Sequence, residues 1–263
     1  MNGISGKTVI VTGGAAMLGA GIARAFHAVN ANVAIADIDS QRGSKIIAEL
    51  GEHAMFQETD ITSDEHLDAL VKVTLSRFGG IDFLVNNAVT YLDHGLASSR
   101  KDWLQALNTN VVSGAMLVSK VIPHMRVRGG GVIINLASVA GKFGVAERAL
   151  YPTSKAAILQ LTRNQAATLA ADRIRVNSVS PAWTWSDSLE KMSGDNVAHA
   201  DSVAAALHPL GRTGRPNDVA NAILFLCSND ARFITGHDLA VDGGYSMLGP
   251  EQGRAAKVWF DRG

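Results

Sequence analysis

The stretch Thr8-Val9-Ile10-Val11-Thr12-Gly13-Gly14-Ala15-Ala16-Met17-Leu18-Gly19 decides the fold. Five β-branched residues in a row, Thr8 to Thr12, favour an extended strand, and the glycines that follow stop it. From about 17 to 29 the apolar side chains Leu18, Ile22 and Phe26 recur at helical spacing. Small residues in the turn let the backbone approach a pyrophosphate, and the helix that follows offers unpaired N–H groups and a positive dipole end. A glycine-rich turn is common. Its place between a first strand and a first helix makes this one a candidate dinucleotide site.

The same alternation continues outward. Asn32-Val33-Ala34-Ile35-Ala36 reads as a second strand stopped by Asp37, and Ser40 is the expected cap of the next helix. Strands are expected near 54–57 and at 82–85, 132–136, 175–179 and near 238–241. Helices are expected over 64–78, 101–127 as one long element, 151–171 and 216–227. Several strands are continuous apolar runs, as required when helices cover both sheet faces. The expected fold is one doubly wound parallel α/β domain over 1–263. Two segments show no period: 183–210, read as a substrate loop, and 248–263. The tail places Trp259 beside Phe260, which suggests docking on this or a neighbouring subunit.

The chain has 263 residues and is 47% hydrophobic, enough for one large core. Its 24 basic and 24 acidic residues cancel, which argues against a nucleic-acid or anionic-membrane partner. Cys227 is the only cysteine and lies in an apolar stretch, so no intrachain disulfide forms and a buried, inert thiol is expected. Eight scattered histidines lack the spacing of a metal site. The start of the chain has no signal-peptide pattern, and no apolar run reaches the ~20 residues of a membrane helix. A cytoplasmic protein is expected.

Asp37 can accept hydrogen bonds from the adenosine ribose hydroxyls. A 2′-phosphate there would meet like charge, at about 4 kcal/mol for ~4 Å and an effective dielectric near ~20. Neither Ile38 nor Ala16 offers a compensating cation, so NAD is favoured over NADP. Tyr151 and Lys155 lie four residues apart near a helix start and share one face. Only about 0.1% of a free tyrosine is phenolate at neutral pH, and closing that gap takes roughly 4 kcal/mol. An ammonium at ~4 Å supplies about that much, so Lys155 is expected to lower the Tyr151 pKa and make it a general acid or base.

As an ordered set these residues resemble the short-chain dehydrogenase/reductase family over roughly 6–247. The motifs are Thr12-Gly13…Gly19, Asp60, Asn86-Asn87-Ala88, Asn110, Ser138, Tyr151-Pro152-Thr153-Ser154-Lys155 and Asn177-Ser178-Val179-Ser180-Pro181. Gly214-Arg215-Pro216-Asn217-Asp218-Val219-Ala220, Ile234-Thr235-Gly236 and Val241-Asp242-Gly243-Gly244 complete the set. The resemblance implies a Rossmann sheet in the order 3-2-1-4-5-6-7, a homotetramer, and interconversion of a secondary alcohol and a ketone with NAD. Tyr151 would exchange the proton, and Lys155 would also hold the nicotinamide ribose. Ser138 would bond the substrate oxygen, and Asn110 would hold a relay water. Gly13, Met17, Leu18 and Gly19 would meet the pyrophosphate, with Asp37 and Ile38 at the ribose. Asp60 and Ile61 would meet the adenine, while Asn87, Ala88, Pro181 and Thr184 would complete the wall.

Three positions depart from the family pattern: Met17, Val89 and Ala182 each stand where a glycine is usual. Met17 is expected to point away from the pyrophosphate. For the substrate, Trp183, Trp185, Arg148 and His94 suggest a small polar molecule such as a sugar, sugar acid or polyol. Arg148 could equally pair with Glu147 or face water. Two other readings are a 3-ketoacyl reductase-like enzyme, which Asp37 opposes, and a non-catalytic dinucleotide-binding protein, which the presence of Tyr151 and Lys155 opposes.

Overall fold

A computed structural model describes residues 1–249 and 251–260. Seven strands form one parallel sheet: β1 Thr8–Thr12, β2 Asn32–Asp37, β3 Ala54–Glu58, β4 Phe83–Asn86, β5 Gly131–Leu136, β6 Ile174–Pro181 and β7 Asp238–Val241. Their order is β3-β2-β1-β4-β5-β6-β7. The direction of winding reverses between β1 and β4, where Val9, Ile10 and Val11 pair with Phe83, Leu84 and Val85. In such sheets that reversal opens a crevice at the strands' carboxyl ends.

Successive strand side chains point to opposite faces, and here both faces are buried. Val9, Val11, Val33, Ile35 and Val85 pack in one core layer with Ile22 and Phe26 of α1 (Met17–Ala28) and Ile223 of α9 (Pro216–Cys227). Ile10, Ala34, Leu84 and Ile133 face the other layer, with Leu67 and Leu70 of α3 (Asp64–Phe78) and Val121 of α5 (Ser113–Val127). The remaining long helices are α2 (Ser40–Leu50) and α6 (Leu150–Leu169). Cys227 is buried, and burial pushes its thiol up to about 12, which suits an inert core residue.

Four expectations need correction. The single helix expected over 101–127 is α4 (Arg100–Leu107), a π-helical turn at Asn108–Val112, and then α5. The wider turn sits where Asn110 is drawn inward by partners outside the helix, as described below. Asp39, not Ser40, caps α2: its carboxylate accepts the Arg42 N–H at 2.9 Å, and Ser40 is the first helical residue. The loop 183–210 is largely helical, with α7 (Asp187–Ser193) capped by Ser186 and α8 (Val197–Ala204) capped by Asn196. In the tail, α10 (Ala256–Phe260) does not bury its aromatics against its own subunit: Phe260 is 85% exposed, and Trp259 lies under the Arg254 guanidinium at 5.9 Å. The last three residues of the expected tail, Asp261, Arg262 and Gly263, lie outside the described residues. Among the described residues, no helix is long and apolar enough to cross a membrane.

Candidate active site

The carboxyl ends of the central strands open onto a cleft of about 2280 Å³. The turn after β1 forms one end. A Cβ on Gly19 would sit 1.9 Å from the Gly13 carbonyl oxygen, so helix and turn can approach this closely only with glycine there. Asn87 braces the turn, its Nδ2 donating to the carbonyls of Thr12 (3.0 Å) and Gly13 (3.1 Å). Thr12 Oγ1 in return accepts the N–H groups of Asn87 and Ala88. The N-cap of α1, Ala16, has no side-chain acceptor, which leaves first-turn donors to a ligand.

Met17 has φ +41, a conformation glycine adopts more readily, and it lines the cleft with Leu18. Val89 and Ala182 line the same cleft. At the end of β2, Asp37 accepts the N–H groups of Ala15 (3.0 Å) and Asp39 (3.1 Å) and lines the cleft beside Ile38. Asp60 and Ile61 follow, and hydrogen bonds from the Thr62 hydroxyl and N–H hold the Asp60 carboxyl below the usual carboxylate range. A backbone cradle that a Cβ would fill, free helix donors and an acidic residue beyond them fit a nicotinamide dinucleotide.

The reactive groups lie further along. Ser138 follows β5 by two residues and is 8% exposed, its hydroxyl accepting the Ala140 N–H at 3.2 Å and donating to the Pro181 carbonyl at 3.5 Å. Lys155 is 4% exposed; its Nζ donates to the Leu136 carbonyl at 2.6 Å and sits 5.6 Å from the centre of the Tyr151 ring. Burial pushes the amine down to about 7. It also pushes the Tyr151 phenol well above its ordinary value; Tyr91 adds to the rise, and Ser138 and Arg148 oppose it. The expected lowering of Tyr151 is therefore absent in the chain alone, because a dry site penalises phenolate and ammonium alike.

Asn110, 7% exposed in the π turn, is tightly engaged. Its Oδ1 accepts the Thr90 N–H at 2.8 Å, and its Nδ2 donates to the Thr90 carbonyl (3.1 Å) and Ser154 Oγ (3.0 Å). Both side-chain donors are used. A void of about 20 Å³ beside it, also lined by Lys155 and Leu136, has room for one water.

Of the expected substrate contacts, Arg148, Trp183 and Trp185 line the cleft with Pro181 and Thr184, and His94 does not. Arg148 forms no ion pair with Glu147 or with any other described residue. Lys142 is committed to Asp238 at 2.6 Å. The lining also includes Leu104, Phe143, Val145, Leu189, Met192 and Val203, which makes it more apolar than the sequence suggests. Sequence reading gave no role to Thr90 or Asp93 and placed Tyr91 only in the substrate region after the fourth strand. Tyr91 stacks on Tyr151 with ring centres 5.1 Å apart. Asp93 accepts backbone N–H groups from Ala149 and Tyr151. A helix opening Ala149-Leu150-Tyr151-Pro152, with no local capping side chain, was the available signal for Asp93.

Residues 13–246 match a family model described as enoyl-(acyl carrier protein) reductase. The chain is 37% identical over 251 residues to 2,5-dichloro-2,5-cyclohexadiene-1,4-diol dehydrogenase of Sphingobium indicum, covering 94% of this chain and all of the relative. It is 32% identical to cis-4-hydroxycyclohexanecarboxylate dehydrogenase of Sinomonas cyclohexanicum, covering 92% and 97%. Among solved structures, 7α-hydroxysteroid dehydrogenase complexed with NADH and 7-oxo glycochenodeoxycholic acid superposes with a TM-score of 0.86 at 34% identity, covering 92% and 94%. The chain belongs to the short-chain dehydrogenase/reductase family. It is an oxidoreductase acting on CH–OH groups with a nicotinamide dinucleotide.

Proposed function

We propose that the chain is an NAD-preferring dehydrogenase of a ring-borne secondary alcohol that carries a further polar or anionic group. This class includes cyclic sugar acids and polyols. The observation that carries this reading is the Ser138–Tyr151–Lys155 cluster, its serine and lysine buried, opening onto an aromatic-lined cleft, with Arg148 unpaired among the described residues at its edge. Arg100, Lys101 and Lys191 line the same cleft and add positive charge for an anionic group. The names of the similar proteins place a hydroxyl on a ring or steroid skeleton in each case. Asp37 supports NAD over its phosphorylated form by like-charge repulsion.

A bound dinucleotide supplies the hydride acceptor or donor. Gly13, Met17, Leu18, Gly19 and Asn87 would hold its phosphates, with Asp37, Ile38, Asp60 and Ile61 along the adenosine. Ala88, Pro181 and Thr184 would hold the nicotinamide end. Ser138 orients the substrate oxygen, and Tyr151 holds the proton at its phenol oxygen, ready for a ketone. In the oxidative direction Tyr151 must first lose that proton, and a protonated Lys155, its Nζ 5.6 Å from the centre of the ring, would favour the resulting phenolate by its charge. Asn110 braces Thr90 and Ser154 and borders the small void that would seat a relay water. We also place the protein in the cytoplasm and read it as a homotetramer, the assembly being supported by exposed Leu104 of α4, Val112 of the π turn and Met116 of α5.

The test is formation of reduced cofactor from NAD with a panel of cyclic secondary alcohols, matched pairs with and without a carboxylate. Tyr151→Phe is expected to lower kcat by about 10²–10⁴ with NAD affinity retained. Arg148→Ala should cost about 10–100-fold in kcat/KM for the carboxylate members only. Turnover unaffected by Tyr151→Phe would refute the chemistry. Equal loss on both halves of the panel after Arg148→Ala would refute the substrate class.

A further inference from the structure

The catalytic helix α6 begins with four residues that cannot cap themselves. Ala149 stands at its N-cap with no side-chain hydrogen bond, and Pro152 has no N–H to offer. The donors that remain are exposed to a low-dielectric site unless something accepts from them. That acceptor comes from the loop after β4, nearly sixty residues earlier in the chain. Asp93 takes the Ala149 N–H at 2.9 Å and the Tyr151 N–H at 2.9 Å, and the N–H of Gly95 in its own loop at 2.9 Å.

We infer that Asp93 is a positioning residue for Tyr151, anchoring the first turn of the catalytic helix from a separate loop so that the phenol is held in place for proton transfer. Three further contacts make this loop a clamp. Thr90 is gripped on both its backbone groups by Asn110. The Tyr91 ring lies against the Tyr151 ring, tilted by 26°. Gly95 is buried so close to the β5–α6 connection that a Cβ there would meet the Glu147 carbonyl oxygen at 2.8 Å. Glu147 itself is turned into a left-handed conformation, φ +63. Residues 90–95 thus touch the catalytic tyrosine through its ring, its backbone and the turn before it.

The carboxylate suits the task better than a neutral cap. It accepts several N–H groups at once and opposes the positive end of the helix dipole. Burial works against its charge, but the N–H groups of Tyr151, Ala149, Gly95 and Leu150 more than offset this and hold it below the usual carboxylate range. It therefore remains charged wherever the enzyme works.

The inference rests on Tyr151 being the proton-transferring group, and its test separates the two ideas. The full-length chain is compared with Asp93→Ala and Asp93→Asn. Amide hydrogen exchange at Ala149 and Tyr151 reads the anchor without any substrate, and Asp93→Ala should speed it by about tenfold. For any alcohol of the panel that the parent oxidises, Asp93→Ala should lower kcat roughly tenfold to a hundredfold, as expected for a misplaced reacting group. The KM for NAD should be unchanged, and Asp93→Asn, which keeps an acceptor oxygen, should restore much of the loss. Unaltered exchange at the two amides would overturn the proposal, as would kcat retained in Asp93→Ala, or kcat and NAD binding lost together. If the parent turns over no alcohol, the proposed function fails, and the exchange measurement alone still decides the anchor.

Discussion

At the scale of single residues, the decisive fact is that Lys155 is both reactive and expensive. Its amine is buried and held near about 7, against an ordinary lysine value of 10.5. Between those values the unfolded chain binds one proton more than the folded chain. Stability therefore climbs with pH from about 7 to about 10.5 and is level below that window. The gap corresponds to about 5 kcal/mol at or below pH 7. Replacing Lys155 with Met removes this cost but leaves the Leu136 carbonyl without its donor, a loss of about 1–3 kcal/mol. Cofactor-free Lys155→Met should thus be more stable than the parent by about 2–4 kcal/mol at neutral pH and lose that advantage by about pH 10. Urea midpoints measured across this range check it. A variant no more stable at pH 7 would show that the amine is not desolvated as the structure indicates.

At the scale of elements, what was legible in the sequence is what local chemistry dictates. Pro216–Cys227 could be read to the residue because Pro at a first helical position acts within its own segment. Gly13, Gly19, Tyr151 and Lys155 were legible for the same reason, since their chemistry needs fixed residue types at fixed short spacing. The π turn at Asn110 was not, because one extra residue per turn hardly disturbs a hydrophobic period, and the Ser154 partner lies 44 positions away. The Asp93 anchor was hidden by separations of 56 and 58 residues.

The bridging of distant elements also shows in α7, which is tied across the cleft to α2 by Arg42 and Asp187 at 3.0 Å. Asp187 and Asp37 both line the cleft, so this pair ties a cleft-lining helix to the helix that follows β2. Both partners are nearly half exposed, which limits the pair to at most about 1 kcal/mol. Arg42→Met should accordingly speed release of NADH by about two- to fivefold at low salt, with the effect fading as ionic strength rises. Asp187→Asn should do the same, and the double variant should do no more, by stopped-flow displacement. Additive effects of the two changes would mean that each acts alone.

At the scale of the molecule, the parallel sheet fixes where everything sits, because its two covered faces leave only the strand ends open for chemistry. The helices that cover those faces must then bury their outer surfaces or leave them to water. Leu104 of α4 is 64%, Val112 of the π turn 45% and Met116 of α5 40% exposed in the isolated chain, apolar surface on the elements around Asn110. With 24 positive and 24 negative side chains, no net repulsion holds two copies apart. A symmetric contact along these helices would dry that surface and stiffen the π turn from behind. Introducing Met116→Glu, which lies outside the cleft, should therefore reduce the sedimenting mass of the protein and lower kcat, since two buried carboxylates facing each other across a two-fold axis cannot both be accommodated. A parent that sediments as a single chain, or a variant that assembles as the parent does, would exclude this face as the contact.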